Sequence, residues 1–223
     1  MEFTVVSQKN RRKLFVDIQR VAIAGYSSRD IEMMMEQVGQ LEKEHIQSPD
    51  YSELPSVYPV APGLITQRPS IDVRGGKTSG EVEYLILKHG GEYYIGLGSD
   101  HTDREIEAED IQKSKEVCMK PVAPILWEYQ EIKDHLDRIR MMSAVKVGKK
   151  SYEYQEGKMD DLLPPIAIMN RVSKEMSLDD CLIFSGTIPL LREYRYGDKF
   201  ACRLADDVLG REIELRYKIR VKK

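Results

Sequence analysis

The stretch that most restricts the fold is residues 81–100, EVEYLILKHGGEYYIGLGSD. Two apolar runs of strand composition flank Gly90-Gly91, so the chain here reads as a β-hairpin reversing at a glycine pair. Alternate residues of a strand share a face, which puts Glu81 and Glu83 on one side, about 7 Å apart. The returning strand ends in Gly98-Ser99-Asp100 and carries Asp100 back alongside them. Carboxylates gathered in this way repel: at an effective dielectric of about 20, each pair at about 4 Å costs about 4 kcal/mol. A divalent cation within the group relieves that cost, and oxygen-only ligands favour Mg²⁺, Mn²⁺ or Ca²⁺ over zinc.

On spacing alone a second reading stays open. Glu81 and Glu83 also fit the wet side of a half-buried antiparallel strand, with Val82 and Tyr84 facing the core. Thr102-Asp103-Arg104-Glu105 fits a capping box, so the segment after Asp100 is expected to start a helical turn with Thr102 as its cap.

The order of motifs resembles the metal site of the fumarylacetoacetate hydrolase superfamily, and most closely a largely uncharacterised branch of it. Glu81-x-Glu83 matches the family's Glu-x-Glu, and Asp100 to Glu105 its D-x-[ST]-x-R-[DE] segment. Lys115 stands where the family has a lysine before an apolar, proline-containing stretch, here Pro121-Val122-Ala123-Pro124. Tyr154-Gln155-Glu156-Gly157 resembles a Gln-[DE]-Gly turn. Ser185-Gly186-Thr187-Ile188-Pro189 resembles a Thr-Gly-Thr-Pro loop with one extra residue before the proline.

The resemblance implies an α+β, mostly β fold: a rolled antiparallel β-structure with a small N-terminal αβ region. Residues 1–56 would form N-terminal strands and a lid-like helix, and 57–223 the catalytic β-roll, although the two also read as one domain. Glu81, Glu83 and Asp100 would hold Mg²⁺ or Mn²⁺, with Ca²⁺ as a substitute. A 2-oxo acid would chelate the ion and react through a metal-stabilised enolate. The outcome would be hydrolysis of an acylpyruvate C–C bond, or loss of water or CO₂ from a 2-keto-3-deoxy sugar acid; a catalytically silent acid-binding relative is a further alternative. Lys115 would meet the developing oxyanion. Lys113 shares its face if that segment is extended, so only the resemblance selects Lys115. Thr187 matches a position that holds the substrate carboxylate, and Gln155 one near the substrate. Many members carry a His and, three residues on, a Glu that activate water from the lid. Here Glu32 falls at the Glu position, but Arg29 replaces the His. An arginine takes no proton at neutral pH, yet its planar fork suits a second substrate carboxylate. His101 is then a further candidate proton carrier, if the backbone after Gly98-Ser99 turns its ring toward the site. Tyr58-Pro59 lies near a family Lys-Pro. Relatives usually form homodimers.

Composition narrows the remaining classes. The net charge of −3 suggests neither a general nucleic-acid binder nor a polybasic membrane surface. Cys118, Cys181 and Cys202 are odd in number and widely spaced, which reads as reduced thiols rather than a disulfide framework. No signal peptide or bilayer-spanning apolar run is evident, and a cytoplasmic location is expected. Gly75-Gly76-Lys77-Thr78-Ser79-Gly80 lacks the flanking strand and helix of a phosphate loop, so nucleotide binding is set aside.

Elsewhere the pattern predicts strands at Phe3–Val6, Leu14–Ile18 and Val21–Ala24, then a helix from Ser27 bearing Ile31, Met34, Met35, Val38 and Leu41. Residues 47–80 are loop-rich. A buried run spans Val117–Trp127, and Glu128–Met142 has Ile132, Leu136 and Ile139 near helical spacing, with His135 exposed. A hairpin turns at Gly148-Lys149, and a helix enters through Pro164-Pro165. Cys181–Phe184 is a strand, and the alternation from Tyr196 to Val221 ends in a basic strand edge at Arg216–Arg220.

Overall fold

Short strands dominate the chain, and among the described residues no helix exceeds eight residues. The structure is a computed structural model that describes residues 1–30, 32, 35 and 53–222. The strands are β1 (Glu2–Val6), β2 (Arg11–Phe15), β3 (Arg20–Gly25), β4 (Ser56–Val60), β5 (Ile65–Thr66), β6 (Ser70–Val73), β7 (Thr78–Ser79) and β8 (Val82–His89). They continue with β9 (Glu92–Ser99), β10 (Thr102–Asp103), β11 (Lys120–Glu128), β12 (Ile139–Val147), β13 (Lys150–Lys158), β14 (Cys181–Phe184), β15 (Lys199–Asp206) and β16 (Arg211–Val221). The helices are α1 (Arg104–Glu107), α2 (Ile111–Glu116), α3 (Tyr129–Ile132) and α4 (Pro165–Val172). None is long and apolar enough to cross a membrane.

The expected hairpin β8–β9 lies mid-sheet in the order β2-β1-β11-β9-β8-β14-β3-β4, with β5 also paired to β11. Gly90 and Gly91 both have positive φ at its turn, a conformation open to glycine without strain. A five-stranded sheet, β13-β12-β15-β16-β6, packs against one face. Between them lies a core that includes Tyr84, Ile86, Leu97, Trp127, Met141, Phe200 and Tyr217. The large sheet rolls so that its other face encloses a second core with Phe3, Val5, Ile23, Leu85, Leu87, Leu126 and Phe184. Strand β8 is therefore buried on both faces, which accounts for its almost unbroken apolar run. The mostly β, rolled architecture is the one expected. The N-terminal strands belong to the same large sheet, β1 beside β11 and β3 between β14 and β4.

Several local expectations change. The helix after Ser27 falls outside the described residues except for Glu32 and Met35, both helical and exposed. Asp103, not Thr102, caps α1, accepting from the backbone N–H groups of Glu105 and Ile106 at 3.1 and 3.2 Å. Residues 128–142 are helical only in α3 and in a turn at Leu136–Arg138, because Ile139 already pairs with Asp206 in the second sheet. His135 is not free: its Nε2 lies 3.0 Å from Asp206 Oδ1. Arg216–Arg220 is no edge, since β16 runs between β15 and β6 with Tyr217 and Ile219 turned inward. The three cysteines are free thiols and buried, as the spacing suggested.

Candidate active site

The end of β8, the segment after β9 and the loop after β14 meet at one point. The carboxylate oxygens of Glu81, Glu83 and Asp100 lie within 4.8 Å of one another. The hairpin achieves this directly: Glu83 pairs with Gly98, and the Asp100 N–H donates to the Glu81 carbonyl at 3.2 Å. Glu83 is 1 % exposed and Asp100 fully buried, so neither lies on a wet strand face.

The chain surrounds these acids with cations. Asp100 sits between two lysines, Lys115 Nζ 2.7 Å from Oδ2 and Lys120 Nζ 2.7 Å from Oδ1. Both contacts are ion pairs. Arg104 at the start of α1 reaches Glu81 at 2.9 Å, Glu107 at 2.5 Å and Ser79 Oγ at 2.7 Å. Lys115 also stands 3.4 Å from Glu107 and 3.8 Å from Glu81. Its segment is helical, not extended, so two residues' separation turns Lys113 to solvent while Lys115 is buried.

These contacts divide the acids electrically. Burial opposes the charge on Asp100, but the two ammonium groups outweigh it and hold its pKa well below the carboxylate range. Glu83 has no such partner. Burial, then repulsion from Asp100 and Glu81, pushes its pKa well up against only Lys115 and the Gly186 N–H, which donates at 2.9 Å. Burial also raises Glu81, with Arg104 and Lys115 opposing. Lys115 loses by burial but gains more from Asp100, Glu107 and Glu81, so its ammonium is held well above its ordinary pKa.

A cavity of about 880 Å³ opens over Glu81, Glu83 and Lys115. Its wall includes Tyr26, Arg29, Tyr58, Arg104, Thr187 and Tyr194. Tyr58 packs so closely on Gly25 that any Cβ there would meet its ring at 2.7 Å. Burial, with Glu81 and Glu107 adding to it against Arg104, pushes the Tyr194 hydroxyl up to about 12. Arg29 is half exposed and paired with Asp160 at 2.6 Å.

Three expected site residues, His101, Gln155 and Glu32, are not among those lining this cavity. The His101 ring points to the opposite side, toward the core between the sheets, with Nδ1 2.9 Å from the Tyr217 hydroxyl and Nε2 3.0 Å from Thr78 Oγ1. Burial, with Lys120 and Arg104 beside it, lowers its pKa to about 3, so the ring is neutral. As placed, it reaches no group over the acids. Gln155 is a brace rather than a cavity residue. Its Oε1 accepts from the Val82 N–H at 3.0 Å and Ser143 Oγ at 2.9 Å, and its Nε2 donates to Thr187 Oγ1 at 2.8 Å and the Ile188 carbonyl at 2.7 Å. Thr187 does line the cavity, but its hydroxyl proton is committed to the Val82 carbonyl at 2.7 Å. Glu32 is exposed.

Lys120 and Glu107 were not anticipated. Glu107 stands three residues after Arg104, the helical spacing at which an ion pair forms. Lys120 is the one charge between Val117 and Trp127, a run otherwise read as buried, and a charge there needs a partner.

The acids fit a hard divalent ion: the set is all oxygen, the oxygens converge, and Glu83 lacks a cation of its own. At present the Lys115 ammonium supplies much of the charge relief that such an ion would give.

Solved structures of fumarylacetoacetate hydrolase-type proteins share this mostly β, rolled fold. One is a candidate fumarylpyruvate hydrolase from Burkholderia cenocepacia, TM-score 0.68 and 17% identical, with 100% of this chain and 92% of that one covered. Another is a 2-keto-3-deoxy-D-arabinonate dehydratase complexed with magnesium and 2,5-dioxopentanoate, TM-score 0.66 and 17% identical, covering 97% and 78%. A yeast fumarylacetoacetate hydrolase family protein matches at TM-score 0.65 and 13% identity, covering 92% and 94%. The chain itself belongs to the DUF2848 family, proteins of unknown function, whose family model matches residues 24–217. No curated protein matches it.

Proposed function

We propose that this protein is a divalent-metal-dependent enzyme that acts on a 2-oxo acid, with hydrolysis of an acylpyruvate C–C bond as the leading reaction. The observation that carries this reading is the convergence of Glu81, Glu83 and Asp100 within 4.8 Å beside Lys115, under a cavity of about 880 Å³. Mg²⁺ or Mn²⁺ suits the donor set, and when bound supplies a Lewis acid for the keto oxygen. The chain's own groups supply the rest. Lys115 places a fixed ammonium where negative charge develops on the substrate; losing such a donor typically costs about a hundred- to a thousandfold in rate. Thr187 holds the substrate carboxylate through its backbone N–H, its hydroxyl being committed elsewhere. Arg29 meets the far end of the substrate once Asp160 releases it, and Glu32 takes a proton from water. The cavity is within the size range of sites for drug-sized ligands, so it has room for more than a minimal keto acid.

A lyase reading, dehydration of a 2-keto-3-deoxy acid, is favoured by one feature: Arg29 stands where relatives carry a proton-accepting His. The active form is proposed to be a homodimer. The test is metal-dependent turnover of a panel of acylpyruvates and 2-keto-3-deoxy acids. Release of pyruvate with a second acid defines the hydrolase, and loss of water without one the lyase. Glu83→Ala and Lys115→Ala are expected to lower the rate at least a hundredfold; unchanged rates in both would refute the site.

A further inference from the structure

The acidic group is approached by two lysines of unlike character. Lys115 comes from α2, lines the cavity, and touches three different carboxylates. Lys120 comes from the first position of β11 and approaches Asp100 from behind, with no exposed surface. It donates to the His101 carbonyl at 2.8 Å and stands 2.7 Å from Asp100 Oδ1. Strand pairing at Lys120 with Ile65 fixes its backbone, so this ammonium has nowhere else to go. It occupies one Asp100 oxygen, Oδ1, and leaves Oδ2 to Lys115.

Charge counting shows what that does. Glu81, Glu83, Asp100 and Glu107 carry four negative charges when ionised, and Lys115, Arg104 and Lys120 three positive ones. With Lys120 the group presents −1 to an incoming ion and +1 once a divalent ion is in place. Without it the same states are −2 and 0. We propose that Lys120 is a built-in counter-charge that weakens the site's hold on a divalent ion and, in return, leaves the loaded site positive toward an anionic ligand. Lys120 acts through Asp100 and is a positioning residue; the inference rests on the metal-dependent reading above.

The test uses the full chain and isothermal titration calorimetry with Mn²⁺ alone, then with oxalate added to Mn²⁺-saturated protein. Lys120→Met keeps the length and removes the charge; Lys120→Gln keeps a donor for the buried oxygens if the methionine variant does not fold. Near-UV circular dichroism identifies folded samples. A folded neutral variant is expected to bind Mn²⁺ at least tenfold more tightly and oxalate at least tenfold more weakly, while Lys120→Arg stays near wild type in both. An unchanged or weaker Mn²⁺ affinity in a folded neutral variant reduces Lys120 to packing or orientation and overturns the proposal. If wild type itself binds no Mn²⁺, the metal-dependent reading fails first, which is a separate result.

Discussion

His101 and Asp100 are neighbours in the chain with opposite electrical fates. Asp100 keeps its charge in a dry setting because two lysines flank it, while His101, turned to the other face, stays neutral between Tyr217 and Thr78. The histidine carries a cost at low pH. Its folded pKa is about 3 against an ordinary 6.5, so the unfolded chain takes up the proton first as pH falls. Stability from this residue is complete above about pH 6.5 and is lost toward pH 3, at about 1 kcal/mol per pH unit. Denaturant midpoints measured from pH 7.5 to 4.5 should therefore fall more steeply for wild type than for His101→Gln. Equal slopes would show that the ring is not held neutral.

At the scale of elements, the loop Ser185–Pro189 ties the acids to β8. Gly186 donates to Glu83, Thr187 to the Val82 carbonyl, and Gln155 crosses from the second sheet to hold Thr187 and Ile188. Gly186 has φ +80, and a Cβ there would run into the Ser27 side chain and the Ala24 carbonyl. Gly186→Ala should cost about 2–3 kcal/mol of stability, as backbone strain and a clash together usually do. It should also disturb Glu83, so a thermal melt with and without Mn²⁺ should show a lower melting temperature and a smaller Mn²⁺-induced rise. A variant with both values at wild type would separate the loop from the site. Alternation and turn residues made β8–β9, β12–β13, α4 and β14 legible, because each is specified within a short window. Lys120, the Gln155 web and the direction of His101 were not legible, since each depends on a strand or loop far along the chain.

For the whole molecule, the β8–β9 hairpin sets the plan: strands added on either side roll one face onto itself and offer the other to the second sheet. Strands β1 and β3 complete a sheet built mostly from later strands. Among the described residues the large sheet ends at β2, which bears Arg11, Arg12 and Lys13 ahead of an exposed Phe15. Unpaired amides along such a rim invite another chain to dock and extend it, and charged side chains, here Arg11 with the Arg12–Glu128 and Lys13–Glu2 ion pairs, discourage that approach. The deterrent reaches about 10 Å at 0.1 M ionic strength but only about 3 Å at 1 M. Concentrated samples in brine should thus scatter light as growing assemblies, whereas Phe15→Lys should keep them clear. Purification in modest salt is what this rim asks for.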